Sequence, residues 1–337
     1  MLHAACVLSK FLLPLAFVAL YVALDAASFI HPLHGLNITP WNPAAALGLV
    51  FLLRRGPGAG PVLVVAVLLG EYLVRGVPFP WWNRLLPALI LATGYLLLSA
   101  VLRRRMAPTT LLDDRAALVG WMLPVVCGTL LNSLVYVSSL HLLGLLPPGG
   151  WLAGVRQFWV GDAVGITVAM PLFWWLSGER GRLALRAALP CWETLGYSLL
   201  GLLALWAAFG LGGDGGFKLF YFLFLPIVWA SVRQGMAGAI VSATLLQIGV
   251  IAAVQLLDFS AVTVAELQML AVVMALIGFF IGGVVDEQRR TSDELRQTLR
   301  LAAAGEMAGA LAHELNQPLT AMGAYASAYD ALQARGE

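Results

Sequence analysis

The residues best suited to chemistry lie near the end of the chain, where a glutamate directly follows a histidine. His313 and Glu314 belong to the run 304–322, in which Leu311 and Leu315 are four residues apart. On an α-helix this spacing builds a narrow apolar seam suited to a partner helix. His313 lies about 200° around the helix from Leu311, at roughly 100° per residue, and therefore faces solvent. An exposed neutral imidazole is a nucleophile, and a neighbouring carboxylate can orient or accept its proton.

The whole string around this pair resembles the phosphoacceptor box of bacterial sensor histidine kinases of the HisKA type. The residues that carry the resemblance are Gly305, Glu306, Ala308, Leu311, Ala312, His313, Glu314, Leu315, Asn316, Gln317, Pro318, Leu319 and Thr320. The resemblance implies that His313 accepts the γ-phosphoryl group of ATP and that Glu314 assists as an acid/base. Gln317 stands where relatives often carry Thr or Asn to position a hydrolytic water, so the chain departs from the family there.

Composition indicates a polytopic membrane protein. Of the 337 residues, 60% are hydrophobic and only 11% are charged, whereas soluble domains contain about 25% charged residues. Ten apolar runs are candidate membrane spans: 11–30, 42–54, 60–75, 85–102, 117–146, 157–177, 190–210, 217–232, 236–257 and 263–285. The second and third are short for a bilayer core of about 30 Å and are candidates for a re-entrant pair. We therefore predict an all-α transmembrane bundle of eight to ten spans that continues into a coiled-coil dimerisation helix.

The distribution of basic residues orients this bundle. One set of alternate connections contains Lys10, Arg54, Arg55, Arg103, Arg104, Arg105, Arg115, Arg180, Arg182, Arg186, Arg233, Arg289 and Arg290. The opposite set contains Arg75, Arg84, Arg156 and Lys218. Because the excess of Lys and Arg marks the cytoplasmic side, both termini are predicted to be cytoplasmic. This orientation rests on charge alone. The resemblance to bacterial sensor kinases implies that the membrane is a bacterial inner membrane.

Two stretches of the bundle resemble the membrane-associated sensor domain of type one (MASE family). They are Trp41-Asn42-Pro43, followed by a small-residue helix, and the run from Phe158 to Ile166 that leads to Pro171. Members of that family precede histidine kinases or cyclic-di-GMP enzymes. The resemblance covers about residues 11–285 and is more diffuse than that of the histidine box, which favours the kinase.

Charged side chains inside spans are expected to face the bundle interior or an aqueous cavity. The acidic residues near the predicted outer ends are Asp25, Glu71, Asp162 and Glu266, and the neighbours at similar depth include Trp41, Arg75, Arg84 and Arg156. Our hypothesis is an outward-facing stimulus pocket, with Asp162, Glu71, Asp25 and Trp41 as sensing residues. We expect Asp162→Ala to abolish signalling and to leave membrane insertion intact. The alternative is that these residues lie at the headgroup level, solvated or paired with the arginines.

The domain boundaries follow from the composition. We assign 1–285 to the membrane sensor, 286–303 to a signalling helix, and 304–337 to the first, incomplete part of a HisKA domain. No Asn-bearing magnesium motif and no Gly-rich nucleotide lid follows His313. The chain is therefore predicted to bind no cofactor and to be inactive alone, and ATP and Mg²⁺ are implied only for a missing catalytic domain. The three cysteines have no metal-site spacing.

The predicted function is that of a sensor histidine kinase in a two-component system, an enzyme of the protein-histidine kinase class. Its expected partners are the lipid bilayer, a second copy through the cytoplasmic helix, a response regulator and an unknown stimulus. A net charge of +2 gives no indication of nucleic-acid binding. The alternatives are a polytopic transporter or channel, which would leave the histidine box unexplained, and a membrane subunit that dimerises with kinases and blocks them.

Overall fold

The chain folds into α-helices, and no strand occurs in the part of it that the structure describes. A computed structural model describes residues 2–29, 32–75, 81–105, 115–210, 217–257 and 261–335. Its α-helices are α1 (Leu2–Ser28), α2 (Pro43–Arg55), α3 (Gly60–Leu73), α4 (Trp81–Arg105), α5 (Arg115–Leu142), α6 (Trp151–Ser177), α7 (Glu179–Ala188), α8 (Trp192–Gly210), α9 (Phe224–Leu257) and α10 (Ala261–Arg335). Short 3-10 helices precede α2, α3 and α9. The predicted all-α fold is confirmed.

Six helical segments within the described ranges are long and apolar enough to cross a membrane. They are Arg84–Arg105, Ala117–Leu142, Trp151–Ser177, Trp192–Gly210, Leu219–Leu256 and Glu266–Ala328. Two further apolar helical segments, Leu12–Ser28 and Pro57–Leu73, are shorter. The protein is therefore a multi-pass helical membrane protein by length and composition. The count is four below ten for three reasons. Helices α2 and α3 have only 13 and 14 residues, too few for a full crossing. The segment Leu12–Ser28 is among the shorter ones, and Leu219–Leu256 combines two predicted spans.

The segment Leu219–Leu256 is not one straight helix, because the backbone turns at Gly235. This residue has φ 62° and ψ −141°, outside the helical region. A Cβ placed on Gly201 would meet both Leu246 and Pro226 within 4 Å. Twenty residues of straight helix would separate these two by about 30 Å. The chain therefore folds back at Gly235, in agreement with the two separate spans predicted over 217–232 and 236–257.

Helix α2 forms the centre of the membrane unit. Most of its residues are buried, and it packs against α6, α4 and α1. The start of α2 follows from its sequence. Asn42 is the N-cap, and its side chain accepts a hydrogen bond from the N–H of Ala45. Pro43 occupies the first turn, where the N–H that proline lacks would have no partner within the helix. At the other end, Gly56 has φ 92°, a conformation that glycine adopts without steric cost.

The carbonyl groups that end α2 are satisfied by an arginine from another helix. Arg103 of α4 donates from Nη2 to the carbonyl oxygens of Leu52 and Leu53, at 2.5 and 2.6 Å. The carbonyl of Leu52 also accepts from the N–H of Gly56 at 2.9 Å, so Arg103 is its second donor. The last carbonyls of a helix generally lack partners within it. Arg54 stacks on the ring of Trp174 at 3.7 Å and donates to its carbonyl oxygen. These contacts fix the short helix α2 to α4 and α6.

The chain divides into two compact units, Met1–Val285 and Asp286–Glu337. The second contains the helical residues 286–335. The described side chains over 287–328 are exposed in the single chain. Its apolar residues include Leu299, at 60% exposure, and Leu311, at 57%. The predicted apolar seam is therefore not covered by any other part of the described second unit.

The turn at Gly235 is expected to require glycine. Replacing Gly235 with Ala puts a Cβ on a backbone with φ 62° and should lower the free energy of unfolding by about 1–3 kcal/mol. The measurement is detergent-solubilised thermal or denaturant unfolding. The matched control is Gly120→Ala in α5, where a Cβ meets nothing within 4 Å; equal stability of the two variants would contradict the turn.

Candidate functional site

His313 lies on the helix of the second unit, and its side chain is exposed. Leu311 and Leu315 are exposed as well, at 57% and 63%, but their spacing from His313 puts them on another face of the helix. The imidazole is therefore accessible to other molecules. The side chain of Glu314, the predicted acid/base, lies outside the described part of the structure.

Gln317, one helical turn after His313, contacts the imidazole. The Nε2 atoms of the two side chains are 3.2 Å apart. When the Gln317 amide donates, the ring nitrogen Nε2 is the acceptor and the neutral imidazole carries its proton on Nδ1. In that tautomer, Nε2 is the ring nitrogen that carries the lone pair. Gln317 thus holds one tautomer of the histidine through a weak, exposed contact.

In the membrane unit, Asp162 lies in a closed polar cluster between three helices. Its side chain is buried, with 1% exposure. Asn42 Nδ2 donates to Oδ1 at 2.9 Å, and the hydroxyl of Tyr95 donates to Oδ2 at 2.7 Å. The carboxylate also stands beside the N-terminus of α2, where negative charge is favoured. Both oxygens are thus hydrogen-bonded, as a buried carboxylate requires.

Two glycines of α6 permit this close approach. The N–H of Asn42 donates to the carbonyl oxygen of Gly161 at 3.0 Å. A Cβ at Gly161 would overlap the carbonyl oxygen of Thr39, and one at Gly165 would overlap the backbone of Asn42. The two stretches singled out for their resemblance to a sensor domain, 41–43 and 158–166, therefore meet in space.

A second cluster surrounds Arg75, two residues after the end of α3. Its Nη2 donates to Asp25 Oδ1 at 2.5 Å and to Asn37 Oδ1 at 2.7 Å. Its Nη1 is 2.8 Å from Glu71 Oε1. Arg75 is 2% exposed and Asp25 5%, so the ion pairs are shielded from water. One guanidinium therefore holds two carboxylates from α1 and α3.

The two clusters are close enough to interact. Tyr21 and Tyr136, both buried, lie within electrostatic range of Asp25 and of Asp162. A crevice of about 20 Å³ reaches the Arg75 cluster, which is room for about one water molecule. The residues that line it include Asn37, Glu71, Arg75, Arg84 and Tyr136.

The structure brings together some of the predicted pocket residues and not others. Asp25 and Glu71 share Arg75, as their predicted depth suggested, but Asp162 pairs with other residues. Trp41 is half-buried, and its buried Nε1 finds no partner in the described part of the chain. The side chains of Glu266 and Arg156 are exposed.

Two residues of these clusters escaped the sequence analysis. Tyr95 lies in an apolar span and Asn37 in a connection. The sequence around each residue gives no indication of its hydrogen-bond partner, Asp162 or Arg75. Asn42 did have a signal, because an Asn before Pro is a common helix start. Pairing of the acidic residues with the arginines was the alternative interpretation of the sequence, and Asp25 and Glu71 do pair with Arg75.

Comparison with known proteins adds no relative: no family model, curated protein or solved structure matches this chain.

Asp162 is expected to be a structural centre of the membrane unit. Asp162→Ala removes both hydrogen bonds and leaves the donors of Asn42 and Tyr95 buried without an acceptor. We expect a loss of about 2–4 kcal/mol in unfolding free energy, and a smaller loss of about 1–2 kcal/mol for Tyr95→Phe. Detergent unfolding measures both. The control is Tyr221→Phe, at a side chain with 74% exposure; stability of Asp162→Ala equal to that of the control would contradict this role.

The stability of the Arg75 cluster is expected to depend on whether its buried carboxylates are matched by the charge of Arg75. Arg75→Met leaves Asp25 and Glu71 buried without their counter-ion, which should destabilise the protein by about 3–5 kcal/mol. Adding Asp25→Asn and Glu71→Gln removes both charges and should restore most of the loss. Unfolding of the single and triple variants tests this, with exposed Arg156→Met as the control. A triple variant no more stable than the single one would refute the charge argument.

Proposed function

We propose that this chain is the sensing and phosphoacceptor part of a membrane-bound histidine kinase of a two-component system. His313 is the acceptor, and the phosphoryl group passes from it to an aspartate of a response regulator. The membrane unit receives the stimulus through its buried polar clusters. The proposal places the protein in a bacterial inner membrane, with both termini in the cytoplasm.

One observation carries the proposal: the histidine of a long HisKA-like string has an exposed imidazole, with Gln317 at its Nε2. In the transfer, the Nε2 lone pair forms a bond to the γ-phosphorus. The bond from that phosphorus to the bridging oxygen breaks, and ADP leaves. Glu314, the neighbouring carboxylate, assists by accepting the Nδ1 proton. Gln317 must release Nε2 before this attack.

The proposal assigns ATP and Mg²⁺ to a separate catalytic domain. The described residues hold no group of three or more His, Cys, Asp or Glu side chains that could bind a metal ion. Phosphoryl transfer depends on positioning and on charge neutralisation by metal and cations. The acceptor helix contributes the nucleophile and a surface on which that domain can dock.

The proposal also includes a homodimer through the apolar seam. Leu311, Leu315 and Met322 are 57%, 63% and 65% exposed in the single chain. Apolar residues at four- and seven-residue intervals pair well between helices. Two copies would bury this seam and leave each His313 on the outside.

The test is phosphate transfer in vitro. The full chain, embedded in membrane, receives a separate HisKA-compatible catalytic domain, labelled ATP and Mg²⁺. We expect acid-labile label on the wild type and none on His313→Gln. The matched control is His141→Gln, an exposed histidine at the end of α5, which should be labelled like the wild type.

Label that survives in His313→Gln would refute the acceptor assignment. Absence of label on a folded, dimeric chain would do so too, provided that the catalytic domain labels a known acceptor. That result would favour a transporter, a channel or a kinase-blocking membrane subunit.

A further inference from the structure

Helices α4 and α5 leave an apolar groove on the outside of the membrane unit. Its volume is about 660 Å³. Its rim is apolar and exposed, with Leu97 and Leu131 at 65% and 64%. In a membrane-spanning unit, such a surface faces lipid. The groove is therefore open to molecules that are dissolved in the bilayer.

The floor of the groove is closed by tight contact between the two helices. A Cβ at Gly94 of α4 would overlap the amide group of Asn132, and one at Gly128 of α5 would come within 2.7 Å of Leu98. The two side chains thus fill the space over the two glycines. No larger residue could stand at either glycine without closing or displacing the floor.

One polar group on the floor has no partner. Asn132 is 7% exposed, and its Nδ2 is buried with no hydrogen-bond acceptor in the described part of the chain. Asn132 is also one of the residues that line the groove. A buried N–H donor without an acceptor is unfavourable. An occupant that supplies an oxygen at this point would remove that penalty.

A second polar group defines one end of the groove. Arg105, the last residue of α4, lines it as well. It follows Gly94 by 11 residues, which is roughly 16 Å along a helix. A positive charge at the end of an apolar groove suits an amphiphile with an anionic head. With its head at Arg105, such an amphiphile would place an acceptor oxygen opposite Asn132 only if that oxygen lay far along its acyl chain.

We propose that this groove binds a long-chain fatty acid that carries a keto or hydroxyl oxygen near the middle of its chain. The carboxylate pairs with Arg105, the chain lies along the leucine-rich walls, and the mid-chain oxygen accepts a hydrogen bond from Asn132 Nδ2. An unsubstituted acyl chain fills the same shape but leaves Asn132 unpaired. The inference is independent of the phosphoacceptor, since it concerns binding to the membrane unit alone.

The first experiment compares three probes on the purified, delipidated full chain in detergent. They are 12-oxostearate, stearate and the methyl ester of 12-oxostearate. The wild type should bind 12-oxostearate about five- to tenfold more tightly than stearate, the size expected for one hydrogen bond. The methyl ester should bind more weakly than the acid, because it lacks the charge that faces Arg105.

Variants locate each contact. Asn132→Leu should abolish the preference for 12-oxostearate and leave stearate binding unchanged. Arg105→Gln should weaken binding of the acid toward that of its methyl ester. Leu97→Trp fills the groove from its exposed rim and should weaken binding of both acids. The control is Leu202→Trp on α8, at a leucine of equal exposure, 64%, which should bind like the wild type.

Thiol protection reports the position of the ligand directly. Cys127 is exposed and lines the same groove. In a chain with Cys6→Ala and Cys191→Ala, 12-oxostearate should slow the reaction of Cys127 with a membrane-permeant maleimide severalfold. An unchanged rate at saturating ligand would overturn the assignment of the site.

The proposal is also overturned if the wild type binds the two acids equally, if it binds neither, or if the preference survives in Asn132→Leu. Equal binding would mean that the groove takes ordinary acyl chains only. A dimer that Leu97→Trp disrupts, with no acid bound, would identify a second copy as the occupant instead. Should Asn132→Leu fail to fold, the methyl ester and Leu97→Trp still decide the question.

Discussion

The membrane unit depends on satisfying the two ends of a short, buried helix. Helix α2 has only 13 residues, and its terminal N–H and C=O groups cannot all reach water. At the start, Asn42 Oδ1 accepts from the N–H of Ala45, and Asp162 holds the Asn42 amide in place by accepting from its Nδ2. At the end, Arg103 donates to the carbonyl oxygens of Leu52 and Leu53. Each terminal group left without a partner would cost more in this setting than at a solvated helix end. Helices α4 and α6 are therefore held where they can supply these side chains.

This constraint explains why glycine and charge occur together in α6. Asp162 can reach Asn42 only if the backbones of α2 and α6 nearly touch, and Gly161 and Gly165 allow that approach. Gly70 has the same role in the second cluster, because its lack of a side chain leaves room for Asp25 beside Arg75. In both clusters, a residue without a side chain stands next to a buried carboxylate. Small residues at helix contacts are the general means of close packing in membranes.

Much of the fold was predictable from sequence because hydrophobic runs of membrane length are a strong local signal. The short pair 42–54 and 60–75 was recognised by length, and the runs 217–232 and 236–257 were predicted as separate spans. The partners of the buried charges were not predictable in the same way. Tyr95 and Asp162 are 67 residues apart, and no periodicity links them. The depth of these residues in the membrane could be inferred from sequence. Which side chains pair depends on which helices are neighbours, and this could not be inferred.

The two kinds of polar site in the membrane unit have different physical consequences. Around Asp162 both carboxylate oxygens are hydrogen-bonded, and the crevice beside Arg75 holds about 20 Å³. A ligand that entered there would have to displace bonds already made, so binding would be coupled to movement of α2, α4 or α6. The groove of α4 and α5 offers space and an unpaired donor instead. Binding in the groove gains a hydrogen bond without breaking one, and it requires no rearrangement of the buried helix.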